Sequence, residues 1–194
     1  MNPGELRLFV AVPLPEEVRG KIAMRIGKMK QAVSFRKWVH PQDLHITLHF
    51  LGACSRKAGE QVKERLRELA PTMPFFRLKL GPLGSFGDPR SPRILWSGVE
   101  GERERLHRLH RAVVGGLSPL GFPAEKRPFR PHLTLARNCR QRDFSLAGLE
   151  PLWLEEPERP EWEVRRIVLY RSHLGRTPMY EPAAVFELQG GREI

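Results

Sequence analysis

The sequence predicts an α+β fold with two similar lobes, each a curved antiparallel sheet with helices on its outer side. Two observations support this prediction. The pattern of Leu44–Leu48 returns as Pro131–Leu135, and strand-like segments follow one another in pairs instead of alternating regularly with helices. A chain of 194 residues is also long enough to bury a substantial core. We therefore expect residues 1–194 to form a single two-lobed domain with a cleft between the lobes.

The elements of the first half follow from their residue patterns. Strands are predicted where β-branched and apolar residues form short runs that a proline or a glycine ends. Helices are predicted where apolar residues recur every three or four positions, opposite a solvated charged face that includes Arg25. The predicted elements are a strand over Leu6–Val12, a helix over Pro15–Val33, a strand over Leu44–Gly52, and a helix capped by Ser55 and ended by Pro71.

In the second half, the Gly, Pro, Ser and Asp residues of Gly81–Pro92 predict a loop. Gly115-Gly116 and Pro119 are expected to break a helix. The predicted elements are strands over Phe75–Leu80 and Ile94–Val99, a helix over Glu102–Leu117, a strand from His132 to Arg137-Asn138, a long strand over Trp162–Leu174 and its antiparallel partner over Met179–Leu188. We expect the tail Gly190–Ile194 to fray.

Composition limits the class of protein. The 33 Lys and Arg residues exceed the 22 Asp and Glu residues, and the net charge of +11 attracts polyanions such as nucleic acids. Such a charge also occurs in proteins that bind no nucleic acid. No apolar run approaches the about 20 residues of a membrane span, and Met1–Pro13 lacks the pattern of a signal peptide. Because Cys54 and Cys139 are the only cysteines, we expect no disulfide framework. These features predict a cytoplasmic monomer that does not contact membranes.

The repeated His-x-Thr-Leu pattern is the strongest functional signal. Alternate side chains of a strand share one face, so His45 with Thr47, and His132 with Thr134, each present an imidazole and a hydroxyl to one surface. With 7 His, 4 Thr and 25 Leu in 194 residues, about 0.02 matches are expected by chance. A single copy would suggest an ordinary half-buried strand. The duplication indicates that both copies contribute to one site.

Two histidines at one site suit acid–base chemistry at a phosphodiester. The unperturbed pKa of an imidazole is about 6.5. Near pH 7 one ring can therefore take a proton from water while the other gives a proton to the departing oxygen. Thr47 and Thr134 would donate hydrogen bonds to non-bridging phosphoryl oxygens. This reaction requires no metal and no cofactor, and the pattern leaves open which histidine is the acid.

The sequence resembles the RNA 2′,3′-cyclic phosphodiesterases, also called 2′-5′ RNA ligases, of the two-histidine phosphoesterase superfamily. The resemblance extends over the full length and depends most on Arg7–Ala11, Leu44–Gly52, Phe129–Arg137 and Leu169–Ser172. It implies that His45 is the proton donor to the O3′ leaving group and that His132 is the proton acceptor that activates water. The implied product is a 2′-phosphomonoester. The resemblance also implies that RNA halves can be joined by a 2′-5′ linkage.

Four further residues are candidates for the site. The resemblance implies that Arg137 clamps the phosphate, although strict alternation puts it on the opposite face from His132, so this role needs a bulge or a twist. Phe50 is a candidate to stack on a base, with core packing as the alternative. Arg130 is a candidate for contacts with backbone phosphates of RNA. His49 is expected on the same strand face as His45, at the rim of the site.

Three other interpretations stay open. The substrate can be a small cyclic phosphate of a nucleoside or ADP-ribose type. The protein can be a non-catalytic module that binds RNA ends. A metal-dependent hydrolase would need His45, His49 and His132 as ligands, but the chain has no compact motif of metal ligands. The net charge favours RNA over a small cyclic phosphate, and the resemblance implies RNA with 2′,3′-cyclic phosphate ends as the partner.

Overall fold

One antiparallel sheet organises residues 5–154 and 159–189, the ranges that the computed structural model describes. In these ranges the strands are β1 (Leu6–Pro13), β2 (Phe35–Trp38), β3 (His45–Cys54), β4 (Phe76–Asp88), β5 (Ser91–Gly101), β6 (His132–Cys139), β7 (Glu161–Val164), β8 (Arg166–Ser172) and β9 (Tyr180–Glu187). The helices are α1 (Glu16–Ala32), α2 (Arg56–Leu69), α3 (Arg103–Leu117) and α4 (Leu146–Leu154). The predicted α+β class is confirmed. The tail that we expected to fray lies outside the described residues.

The sheet consists of two halves that meet at the two motif strands. The strand order is β7-β4-β5-β6-β3-β1-β8-β9, with β2, a strand that we did not predict, paired to β6. The halves join where β3 pairs with β6, with Ile46 opposite Leu133. His45 and Thr47 flank the first of these two residues, and His132 and Thr134 flank the second. Both motifs therefore lie at the junction of the two halves.

The helices cover one face of the sheet and leave the other face open. The main core joins residues on that covered face, such as Val10, Ile46 and Leu133, to buried helix residues. On the open face a smaller buried cluster contains Phe9, Ala11, Val168 and Tyr170, with Tyr180 packed against it. The name open face is used below for this uncovered side of the sheet, which carries Phe9, Ala11, Val168 and Tyr170. In the described ranges, no helix is long and apolar enough to cross a membrane.

Helix α4 was not predicted, and it explains why the expectation for Arg25 is wrong. Arg25 is buried instead of solvated, and its Nε donates a hydrogen bond to the carbonyl oxygen of Trp153 at 3.0 Å. Trp153 is fully buried in α4, and its indole N–H donates to the carbonyl oxygen of Gly81 at 3.0 Å. Pro151 lies inside this helix, and a proline in a sequence argues against a helix.

The predicted loop Gly81–Pro92 is also wrong, because β4 continues to Asp88 and β5 begins at Ser91. The glycines of this segment permit close packing rather than a turn. A Cβ added to Gly84 would lie 2.2 Å from the indole ring of Trp96. This contact keeps Trp96 flat against β4, next to the second motif strand.

The predicted long strand over Trp162–Leu174 is two strands that separate at Arg165. β7 pairs with β4, whereas β8 pairs with β1. This segment therefore crosses from one half of the sheet to the other. The pairing of β8 with β9 agrees with the prediction.

The predicted end of the third helix at Leu117 is confirmed, and Gly115-Gly116 lie in its last turn without interrupting it. A Cβ on Gly116 would lie 3.6 Å from a methyl group of Leu69 in α2. That is an ordinary van der Waals distance, so the packing of α2 on α3 does not require a glycine here, and the helix ends at Leu117, before Ser118 and Pro119.

Candidate active site

Main-chain carbonyl groups hold the two motif histidines in the same way. His45 Nδ1 lies 2.7 Å from the carbonyl oxygen of Asp43, and His132 Nδ1 lies 2.7 Å from that of Arg130. A carbonyl oxygen can only accept, so Nδ1 carries the hydrogen in both rings. Nε2 of each ring is therefore the atom that can gain or lose a proton.

The motif threonines lie on the same strand faces as the histidines. Thr47 Oγ1 is 3.0 Å from His45 Nε2. Because a neutral Nε2 can only accept, the hydroxyl of Thr47 donates this hydrogen bond. Thr134 is half-buried like Thr47 and is spaced from His132 as Thr47 is from His45. The structure thus brings the four predicted side chains to one junction.

A β-bulge redirects Arg137 to the open face. Ala136 pairs with Leu95 and Thr134 pairs with Trp96, so Leu135 is an extra residue without a partner in β5. Leu135 and Ala136 are consecutive and both fully buried. The alternation therefore restarts after Leu135, and Arg137 returns to the face of His132. This is the redirection that the phosphate-clamp hypothesis requires.

An equivalent bulge in β3 redirects Phe50. Here Leu48 is the extra residue, because Thr47 pairs with Ala11 and His49 pairs with Val10. Phe50 is 60% exposed, and its ring centroid lies 5.9 Å from that of Phe9 on the open face. The core-packing alternative for Phe50 is therefore wrong.

The same bulge makes the prediction for His49 wrong. His49 is only 2% exposed, on the face that the helices cover, and its Nε2 donates to the carbonyl oxygen of Phe122 at 3.0 Å. It cannot join His45 and His132 around one metal ion. Within the described ranges, no group of three or more His, Cys, Asp or Glu residues is arranged to hold a metal. Independence from metals stays a prediction.

Arg130 reaches the site through its main chain, whereas its side chain is exposed. Its carbonyl oxygen fixes His132, as described above. The preceding Phe129 stacks on His110 of α3, with ring centroids 3.8 Å apart and planes inclined by 2°. This stacking fixes the segment that leads into the second motif. His110 is half-buried, and Phe129 covers one face of its ring.

Aromatic rings that we did not predict surround both histidines. His45 contacts Phe9 and Tyr180, with ring centroids 4.9 Å and 5.1 Å away. His132 lies against Phe86 and Trp96 at 5.3 Å and 6.0 Å. The signal for Phe9 was present in the sequence, since the unbroken apolar run of β1 is typical of a strand buried on both faces.

Burial and positive charge lower the pKa values of both histidines. Burial lowers the pKa of His45 to about 4, opposed by the carbonyl and the carboxylate of Asp43 and reinforced by the charges of His132 and Arg137. Burial also lowers the pKa of His132, opposed by its bond to Arg130 and reinforced by Arg137. Both rings therefore favour the neutral form in the free protein, and Arg137 lies near enough to influence both.

Comparison with known proteins identifies the family. The family model of the 2′-5′ RNA ligase superfamily matches residues 18–176. The chain belongs to this superfamily. The match confirms the resemblance that the motifs and the flanking segments indicated.

Relatives of this superfamily match most of the chain. An RNA 2′,3′-cyclic phosphodiesterase of Geobacillus stearothermophilus is 38% identical over 94% of this chain, which spans 57% of that protein. The protein of the same name from Bacillus subtilis is 35% identical over 93% of this chain and 95% of its own length. The crystal structure of E. coli LigT complexed with 3′-AMP has a TM-score of 0.76 and 26% identity, covering 95% of this chain and 98% of LigT.

Proposed function

We propose that this protein hydrolyses the 2′,3′-cyclic phosphate ends of RNA to 2′-phosphomonoesters. The observation that supports this most is the equivalent fixing of His45 and His132, which leaves Nε2 of both rings for proton transfer at one junction. The shared name of the relatives from Geobacillus and Bacillus indicates the same reaction. The net charge of +11 fits a polyanionic substrate.

In the proposed reaction a water molecule attacks phosphorus as the bond from phosphorus to O3′ breaks. His132 Nε2 takes the proton of the water, and protonated His45 Nε2 gives its proton to O3′. The products are a 2′-phosphate and a free 3′-hydroxyl. Proton transfers of this kind accelerate a reaction by about 10²–10⁴-fold.

The threonines and Arg137 would stabilise the charge of the phosphoryl group. Protonation of His45 turns its Nε2 into a donor, so the hydroxyl of Thr47 can no longer donate to it. That hydroxyl is then available to a non-bridging oxygen, and Thr134 would contact another. Arg137 would clamp the phosphate with its guanidinium group.

Substrate binding would produce the protonated form of His45 that the general acid requires. The pKa of His45 is about 4 in the free protein, so its ring is neutral near pH 7. The negative charge of a bound phosphate favours the imidazolium ion and raises this pKa. His45 would therefore acquire its proton together with the substrate.

The remaining predicted residues would bind RNA beyond the reacting phosphate. Phe50, exposed on the open face, would stack on a base, and the side chain of Arg130 would contact a backbone phosphate. With a ribose hydroxyl in place of water, the same site would join RNA halves by a 2′-5′ linkage. We further propose that residues 1–194 act as one two-lobed domain without a metal or a cofactor.

The test is to incubate the protein, with EDTA present, with a short RNA that ends in a 2′,3′-cyclic phosphate and to identify the product end. We expect a 2′-phosphate, formed by neither His45→Ala nor His132→Ala. Turnover only of a mononucleotide cyclic phosphate would assign a small-molecule substrate instead. Tight RNA binding without turnover would indicate a binding module, and activity lost with EDTA and restored by a metal would overturn metal independence.

A further inference from the structure

We propose that Asp43 is a positioning residue that holds the acid His45 and the β8–β9 hairpin in one arrangement. This inference rests on the proposed function of His45. Asp43 is 8% exposed, a rare state for a carboxylate unless it is fully paired. It ends the short 3-10 turn Pro41–Asp43 directly before the first motif strand.

The carboxylate of Asp43 binds a segment far along the chain. Both of its oxygens accept from the main-chain N–H of Met179, at 3.0 Å and 2.9 Å. One of them also accepts from the N–H of Tyr180 at 3.0 Å. Charged acceptors make stronger hydrogen bonds than neutral ones. These bonds fix the start of β9 beside the first motif.

The main chain of Asp43 and the segment that it holds both act on His45. The carbonyl oxygen of Asp43 accepts from His45 Nδ1 at 2.7 Å. The ring of Tyr180 meets the imidazole edge-on, with centroids 5.1 Å apart. Asp43 thus sets the tautomer of His45 through its main-chain carbonyl and the position of Tyr180 through its carboxylate.

The charge of Asp43 also favours the protonated form of His45. The groups that act on this ring are Asp43, His132 and Arg137, with the uncharged Tyr170 and Tyr180 packed near it. Asp43 provides the negative charge that raises the pKa of His45, whereas His132 and Arg137 lower it. Loss of this carboxylate should therefore reduce the fraction of His45 that carries a proton.

The test compares the pH dependence of kcat for the wild-type protein, Asp43→Asn and the control Asp143→Asn, which changes an exposed aspartate in the segment before α4. Because each pKa unit that His45 loses reduces its protonated fraction about tenfold above the pKa, we expect Asp43→Asn to lower kcat on the alkaline limb by about tenfold for each unit. Its alkaline limb should move to lower pH. The control should match the wild type.

A nuclear magnetic resonance titration of His45 in the free protein should give a lower pKa in Asp43→Asn than in the wild type. An equal loss of kcat at every pH, with the pKa of His45 unchanged, would overturn the proposal. If Asp43→Asn does not fold, Asp43→Glu replaces it in the test, because glutamate keeps the negative charge. The alkaline limb of its kcat profile should stay at the wild-type position. An alkaline limb moved to lower pH in Asp43→Glu would also overturn the proposal. A wild-type protein inactive on cyclic-phosphate RNA would instead refute the proposed function, while the titration would still test Asp43.

Discussion

Leu48 and Leu135 occupy equivalent bulges, each three residues after a motif histidine. Leu48 has no partner in β1 and Leu135 has none in β5, and each is followed by a second buried residue. The fifth residue after each histidine, Phe50 or Arg137, consequently returns to the open face. Each half of the sheet thus contains an equivalent β-bulge, which directs an aromatic ring in one half and a guanidinium group in the other to the open face.

Replacement of Arg137 by glutamine should impair catalysis and shift its pH dependence. Hydrogen bonds to charged groups contribute about 1.5–3 kcal/mol, so kcat/KM should fall by about 10- to 150-fold. The pKa values of His45 and His132 should rise, because Arg137 lowers both. Steady-state kinetics over pH 4–8 would measure both effects. The control is Arg108→Gln, an exposed residue of α3, and unchanged histidine pKa values in Arg137→Gln would contradict the placement of this charge.

Replacement of Phe50 by alanine should weaken RNA binding with little change in kcat. Stacking of a base on an aromatic side chain contributes about 1–3 kcal/mol, which predicts an increase in KM for RNA of about 5- to 150-fold. Met24→Ala in α1 is a matched control, because Met24 is a similarly exposed apolar residue, 66% against 60%. Equal KM values for Phe50→Ala and the wild type would show that this ring does not contact the substrate.

Valine at Thr47 or Thr134 should reduce activity more than stability. The loss of a hydrogen bond to a charged oxygen, about 1.5–3 kcal/mol, predicts about 10- to 150-fold lower kcat for each variant. Thr72→Val provides the comparison, since the hydroxyl of Thr72 donates to the carbonyl oxygen of Leu69 at 2.7 Å, away from the motifs. Measurements of melting temperature and kcat for all three variants should distinguish a catalytic role of the motif threonines from a structural role. If each motif variant loses activity only in proportion to its folded fraction, these threonines are structural.

The stability of the protein should fall as the pH is lowered from 6.5 towards 4. The pKa of His45 is about 4 in the folded protein and about 6.5 in an unfolded chain. Between these values the unfolded chain binds more protons, so acid favours unfolding. His110, whose pKa burial also lowers to about 4, acts in the same direction. Melting temperatures of the wild type and His45→Gln, measured from pH 4.5 to 7.5, should show a shallower slope for the variant. Parallel slopes would contradict the low pKa.

The sequence predicted the placement of the motif side chains better than the backbone around them. Periodicity identified β1, α1, β3, α2 and α3, because their buried residues recur at regular spacing. It misassigned Gly81–Pro92, since glycines that allow Trp96 to lie on β4 have the same local appearance as glycines of a loop. It missed α4 because Pro151 argues against a helix and because the hydrogen bond from Arg25 to Trp153 leaves no local pattern.

Within the site, alternation from His45 and His132 placed Thr47 and Thr134 correctly, because no bulge intervenes. It failed for His49, one residue beyond the bulge at Leu48. The role of Asp43 was not predicted either, because its partners lie 136 and 137 residues away along the chain. Such long-range hydrogen bonds leave no local pattern.

The most direct test of the account is a cyclic-phosphate RNA in which sulfur replaces the bridging O3′. A thiolate leaves without protonation, so the general acid becomes unnecessary while the general base does not. We predict that His45→Ala cleaves this sulfur substrate nearly as fast as the wild type, although it is inactive on the oxygen substrate, and that His132→Ala cleaves neither. Rescue of His132→Ala instead of His45→Ala would reverse the two roles. Failure to rescue either variant would contradict acid–base catalysis by this pair.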